Sequence, residues 1–99
     1  QRDFVVPTTI TIDNFGSEIF TIIEVDTKDR PSLLHDLART LHYENLIVHS
    51  AIIATYGEQA VDAFYVKDLY GHKVHSEARQ ERIRERLRDA IDAAVTDAA

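Results

Sequence analysis

Residues 29–37 read Asp-Arg-Pro-Ser-Leu-Leu-His-Asp-Leu and follow directly on the β-rich run Phe20–Asp26. A chain that passes within four residues from a β pattern to a proline-started amphipathic helix has a tight βα turn there. Such a turn can cradle an anion or a small ligand. Pro31 is expected at the first helical position, where its missing N–H costs nothing, and Asp29 suits the positive end of the helix dipole. Backbone N–H groups around Ser32 and Leu33 are then expected to point outward, available to a ligand.

The elements that must position this turn follow from periodicity. Residues 8–14 alternate with Ile10 and Ile12 on one face, the period-2 pattern of a half-buried strand. Asn14–Ser17 supply turn chemistry around Gly16. A second strand is expected over 19–26, with Thr21, Ile23 and Val25 on one face and Phe20, Ile22 and Glu24 on the other. From Pro31, the apolar positions Leu33, Leu34, Leu37, Ala38 and Leu41 repeat with helical spacing as far as Glu44, and Asn45 suits a left-handed residue just beyond the helix. Residues 46–56 and 60–67 read as a hairpin about Gly57-Glu58. A loop over 68–75, with a short extended piece at 72–75, leads to a helix capped by Ser76, whose stripe is Ile83, Leu87, Ala90, Ile91, Ala94 and Val95.

The order ββαββα makes an α+β two-layer sandwich, with a four-stranded antiparallel sheet carrying two helices on one face. A ferredoxin-like unit runs βαββαβ. Here the chain ends in a helix, and the N-terminal strand takes the place of the missing last one: the fold class is a permuted ferredoxin-like sandwich. The expected organisation is a lead-in over 1–7, one domain over 8–96 and a tail over 97–99.

Composition narrows the function classes. Ninety-nine residues with 44% hydrophobic content fit a single core. No apolar run approaches the ~20 residues that span a bilayer, no signal segment opens the chain, and the absence of cysteine removes disulfides and thiolate metal sites. The cytoplasm is the expected compartment. The net charge is −6, and residues 1–68 carry five Lys or Arg against eleven Asp or Glu, which argues against nucleic-acid binding. The start at Gln1 and the lack of methionine suggest a piece of a longer protein.

Other constellations are weaker. His35 and His42 lie seven apart, too far for one ion, and His72 and His75 have no evident third ligand, so solvated histidines are expected. Asp62 and Glu24 are expected on the sheet face away from the helices, exposed, with no nucleophile or phosphate loop to make them catalytic. Arg30 alone does not make an acylphosphatase loop. Arg79, Arg82, Arg84, Arg86 and Arg88 interleave with acids and are expected to form a solvated face with pairs such as Glu81–Arg84 and Glu85–Arg88.

The runs FTIIEV, DRPSLL and IATYGEQAVDAFYVKDLYG together resemble the ACT domain family. The TIDN lead-in, the hairpin and the DLYGHKV exit are similar, more narrowly, to the last ACT domain of the uridylyltransferase/uridylyl-removing enzymes that modify the PII signal protein. The resemblance covers residues 8–95 and implies a regulatory domain that senses glutamine or another amino acid, with the catalytic domains elsewhere. No catalytic residue, metal or cofactor is expected in this chain. The resemblance places the effector at the strand-to-helix turn, onto which Asp26, Thr27, Asp29, Arg30, Pro31, Ser32 and Leu33 map. The start of the following strand in a neighbouring ACT domain would complete the pocket; Ile47 occupies that position. The implied partners are the effector and a second ACT domain, in the parent chain or a homodimer, with neither nucleic acid nor membrane. Two positions depart from the family pattern: Ser32 stands where glycine is common, and Ile47 where a polar asparagine often reaches the ligand. The pocket is then either altered or silent. The alternative function is a structural module whose apolar sheet pairs with another ACT domain.

Overall fold

The computed structural model describes the backbone of residues 6–98 and the side chains of residues 6–93, so most of the lead-in, the tail and the stripe positions Ala94 and Val95 lie outside the described side chains. The elements run β1 (Thr9–Asp13), β2 (Thr21–Lys28), α1 (Leu33–Tyr43), β3 (Leu46–Tyr56), β4 (Gln59–Asp68) and α2 (Glu77–Ala98). All pairings are antiparallel, in the order β1-β2-β4-β3. The N-terminal strand therefore completes the sheet beside β2, as the permuted ferredoxin-like reading requires.

The core lies between the sheet and the helices. Ile23 and Val25 of β2 and Phe64 and Val66 of β4 meet Leu33, Leu37 and Leu41 of α1 and Ile83, Leu87 and Ile91 of α2. α1 contacts β3 and α2 contacts β1, so the helices lie side by side over the two halves of the sheet.

Boundaries moved for local reasons. β2 begins at Thr21 rather than 19 because the Ser17 hydroxyl accepts the N–H groups of Ile19 and Phe20, at 3.1 and 3.0 Å, and draws them out of the ladder. It continues to Lys28 because Thr27 and Lys28 still pair with Ala60 and Gln59. Asn45 adopts φ 61 after α1, as a left-handed residue should. The loop after β4 has no extended strand at 72–75. It is a turn wound on Asp68, whose carboxylate accepts the N–H groups of Tyr70 and His72 at 2.8 and 2.9 Å. Ser76 caps α2 through Arg79 N–H at 3.2 Å.

The arginine face of α2 is not simply solvated. Glu81–Arg84 forms at 2.8 Å, but Arg88 donates to the Thr8 carbonyl. Arg82 and Arg86 reach the Glu44 carboxylate at 3.0 and 3.9 Å, and Arg79 donates to the carbonyls of Glu44 and Asn45. These cations gather at the negative end of the α1 dipole, where positive charge stabilises a helix terminus.

Candidate functional site

The site is built on the end of β2. Lys28 is the last paired residue, opposite Gln59, and the Asp29 N–H continues the ladder by donating to the Glu58 carbonyl at 2.7 Å. The chain then reverses. The Arg30 carbonyl accepts the Leu33 N–H at 3.3 Å, and Ser32 has φ 65 and ψ 8. Proline at the second position and a left-handed residue at the third are the marks of a type II β-turn over Arg30–Leu33.

This corrects two expectations. Pro31 is a turn residue, not the first residue of the helix, which starts at Leu33. The Leu33 N–H is spent on the turn, and its side chain is buried in the core. Ser32 makes no side-chain cap. The common family glycine at this position is explained by the turn itself, since its third residue requires positive φ, rather than by close approach of a ligand.

Arg30 is fixed over the turn. Its Nη1 donates to Asp36 Oδ2 at 2.9 Å and to the Pro31 carbonyl at 3.0 Å. Its Nε and Nη2 are buried and without a hydrogen-bond partner. Asp29, Pro31 and Ser32 are exposed around it. Thr27 lies on the helix side, buried, its hydroxyl bonded to that of Thr8 at 2.6 Å. Asp26 lies on the open face, where Gln59 Nε2 donates to it at 2.5 Å.

Ile47 is not brought to the turn. It pairs with Lys67, eight residues along β4 from Gln59, or about 26 Å at the strand rise. Within one chain the turn and Ile47 are at opposite ends of the sheet.

Asp62 is the clearest correction. It lies on the helix face of β4 between Ala60 and Phe64, 2% exposed, and not on the open face with Glu24. Its Oδ1 has no hydrogen-bond partner. Burial raises its pKa, and the nearby Asp29 carboxylate raises it further, against the lowering effect of a hydrogen bond from the Ala54 N–H. Asp68, by contrast, is held below the ordinary carboxylate value, chiefly by the His72 N–H. Asp62 and Asp36 were the residues missed. The parity that Asp62 shares with Phe64 was the available signal for the first; the helical offset from Arg30 gave none for the second. Among the described residues no group of three or more His, Cys, Asp or Glu is arranged to hold a metal, and no helix is long and apolar enough to cross a membrane.

A β-strand entering a type II turn and then a helix, on a permuted four-stranded sandwich, defines an ACT-like domain. The chain belongs to that family: residues 9–96 match the family described as ACR9-like, ACT-like domain. Among individual proteins it is similar to the bifunctional uridylyltransferase/uridylyl-removing enzyme of Ruegeria pomeroyi, 60% identical over 91 residues, covering 92% of this chain and 10% of that protein. The enzymes of the same name from Cereibacter sphaeroides and Azospirillum brasilense are 57% and 51% identical, with 92% and 91% of this chain covered. The chain thus spans about a tenth of the length of these relatives, 10% in each case. A crystal structure of an unknown protein from Galdieria sulphuraria shares the fold, with a TM-score of 0.56 at 20% identity over 70% of this chain and 36% of that one.

Proposed function

We propose that this chain is a regulatory domain of a cytoplasmic uridylyltransferase/uridylyl-removing enzyme and binds an amino acid, glutamine first among the candidates, at the β2–α1 turn. The observation that carries the reading is the turn itself: an exposed Asp29-Pro31-Ser32 rim around a guanidinium with unpaired donors, at the positive end of α1. The family membership and the shared name of its relatives support the regulatory assignment. In this reading the domain performs no chemistry; it converts effector occupancy into a bias on catalytic domains elsewhere in the parent protein. A millimolar effector requires only about −4 kcal/mol. Calorimetric titration with L-glutamine tests this: saturable heat at millimolar concentration is expected, and its absence overturns the glutamine assignment.

A second reading, pairing with another ACT domain, is favoured by β3. This eleven-residue strand is a sheet edge, and Ile47, Ile52, Ile53 and Tyr56 on it are exposed. A long apolar edge is a template for another strand. Pairing would also bring the Ile47 end of one domain near the turn of another. Light scattering across a concentration series is expected to show a dimer, and a strict monomer would count against self-pairing.

A further inference from the structure

We propose that the end of the domain opposite the β2–α1 turn is a docking surface, and that its occupant is another folded domain of the same parent protein, one that presents an apolar surface rimmed by Lys or Arg. This rests on the reading of the chain as a regulatory domain of a longer enzyme and specifies which face joins it to the rest. Among the described residues, the exposed large apolar side chains fall into two groups. One is β3 with Leu34 of α1. The other is Phe15, Ile19, Tyr43, Leu69 and Tyr70, on the β1–β2 turn, the last residue of α1 and the exit of β4. Phe15 is 98% exposed and Tyr70 85%. This second group lies where β2 begins, roughly 23 Å from Lys28 at the strand rise. Ile19 and Asp68 line one groove of about 650 Å³, and Asp68, Leu69, Tyr70 and Tyr43 line the next, of about 610 Å³, so the side chains share one continuous stretch of surface.

The loops that carry these side chains are tied down by their own polar groups. The Asp13 carboxylate accepts the N–H groups of Phe15 and Gly16 at 2.9 and 3.1 Å, and a Cβ on Gly16 would lie 2.7 Å from Asp13 Oδ2, so the turn closes with no room for a side chain there. Ser17 and Asp68 hold the donors that follow them in the same way. The Lys73 ammonium fastens the two loops together, donating to the carbonyls of Asn14 at 2.8 Å and Ser17 at 2.5 Å. A backbone so held loses little freedom on association, and exposed aromatic side chains on it have the character of interface anchors. The rim is acidic: Glu18 is exposed, Asp13 and Asp68 flank the stretch, and the nearby cations Lys73 and Arg79 are turned onto backbone carbonyls. A second copy docking by two-fold symmetry would set these carboxylates against their own equivalents, so charge complementarity favours a basic-rimmed partner other than the chain itself. The chain covers 10% of its relatives, which leaves about nine-tenths of such a protein to supply that partner, and a tethered partner meets the surface at high effective concentration.

The test places the photocrosslinker p-benzoylphenylalanine at position 15 or at position 70 of the parent protein and maps the cross-links by mass spectrometry. It is run without effector, so a chain unable to bind glutamine still tests the surface. Both positions are expected to cross-link to one segment of the same polypeptide outside these 99 residues. With the label at position 70, Phe15→Ser is expected to lose most of that cross-link, and with the label at position 15, Tyr70→Ser is expected to do the same; both side chains are exposed, so neither substitution disturbs the core. Glu18→Lys, which reverses a rim charge, is expected to lower the yield at either position. Cross-links confined to the same 99 residues of another molecule overturn the choice of partner, and the absence of a cross-link from both positions overturns the docking surface. Cross-links to the rest of the parent in a protein that gives no heat with glutamine uphold the surface and overturn the sensing reading alone.

Discussion

Ser32→Gly is expected to stabilise the domain, and the size of the gain follows from the turn. A non-glycine residue in the left-handed region costs roughly 1–2 kcal/mol relative to the right-handed basins. Ser32 sits there at φ 65, and its side chain makes no capping bond to offset the cost. Glycine removes the steric penalty but gives the unfolded chain more freedom, which takes back roughly 0.5–1 kcal/mol. The net gain is about 0.5–1 kcal/mol, equivalent to a rise of roughly 2–8 °C in melting temperature for a domain of this size. Urea denaturation followed by far-UV circular dichroism measures the free energy, and a thermal scan measures the shift. Ser32→Ala is the control: alanine keeps the Cβ and loses only the hydroxyl, so it is expected to be neutral within about 0.5 kcal/mol. A destabilised Ser32→Gly, or an alanine variant that loses more than about 1 kcal/mol, would refute the assignment of the strain to backbone conformation and show that the hydroxyl has a partner.

Thr21 carries a buried bridge: its hydroxyl donates to Asn14 Oδ1 at 2.5 Å and accepts the Val74 N–H at 2.8 Å, while Asn14 Nδ2 donates to the Val74 carbonyl. Thr21→Val keeps the shape and orphans that N–H, so a loss of about 2 kcal/mol in urea denaturation is expected. Asp62 has a folded-state pKa above its ordinary 3.8. The native state therefore holds a proton that the unfolded chain releases, and stability falls as pH rises from the ordinary carboxylate value through the folded one. Asp62→Asn is expected to remove that fall, so that the variant gains on the parent as pH rises and matches it below the carboxylate range. Asp68 has the opposite sign: its folded value lies below 3.8, so its contribution is present above that pH and is lost as pH falls through the folded value. Asp68→Asn is expected to flatten the acid limb of the stability curve, and an unchanged limb would remove Asp68 from the account.

The sheet and helices were legible because each face has one consistent period. Leu33, Leu37 and Leu41 recur at helical spacing, and Ile23 and Val25 alternate, so burial could be assigned from pattern alone. The hairpin about Gly57 was legible for a similar reason, since a two-residue loop with positive φ at its first position calls for glycine. The start of β2 was not: the Ser17 hydroxyl competes for the backbone donors of Ile19 and Phe20, and nothing in a hydrophobic pattern reports that competition. The arginines of α2 were legible in part: Arg84 pairs with Glu81 as helical spacing predicts, but Arg82 and Arg86 find their partner off the helix. Glu44 lies on another element, and only the packing of α1 against α2 brings it to Arg82.

The turn was misread for a more instructive reason. Proline fits a helix start, where it occupies the first position, and it fits equally a type II turn, where it takes the second position. Local propensity does not separate the two. What separates them is the ladder: once Asp29 N–H is bonded to Glu58, the chain must reverse within the next four residues to lay Leu33 on the core, and the hydrogen-bonded turn makes that reversal. Asp62 obeys the same kind of constraint. Both faces of β4 carry apolar residues, so polarity alone sends a carboxylate outward. Phe64 and Val66 must both face the helices, however, and strand parity takes Asp62 inward with them. Unsatisfied polar atoms at Arg30 and Asp62 are therefore consequences of where the fold obliges these residues to lie.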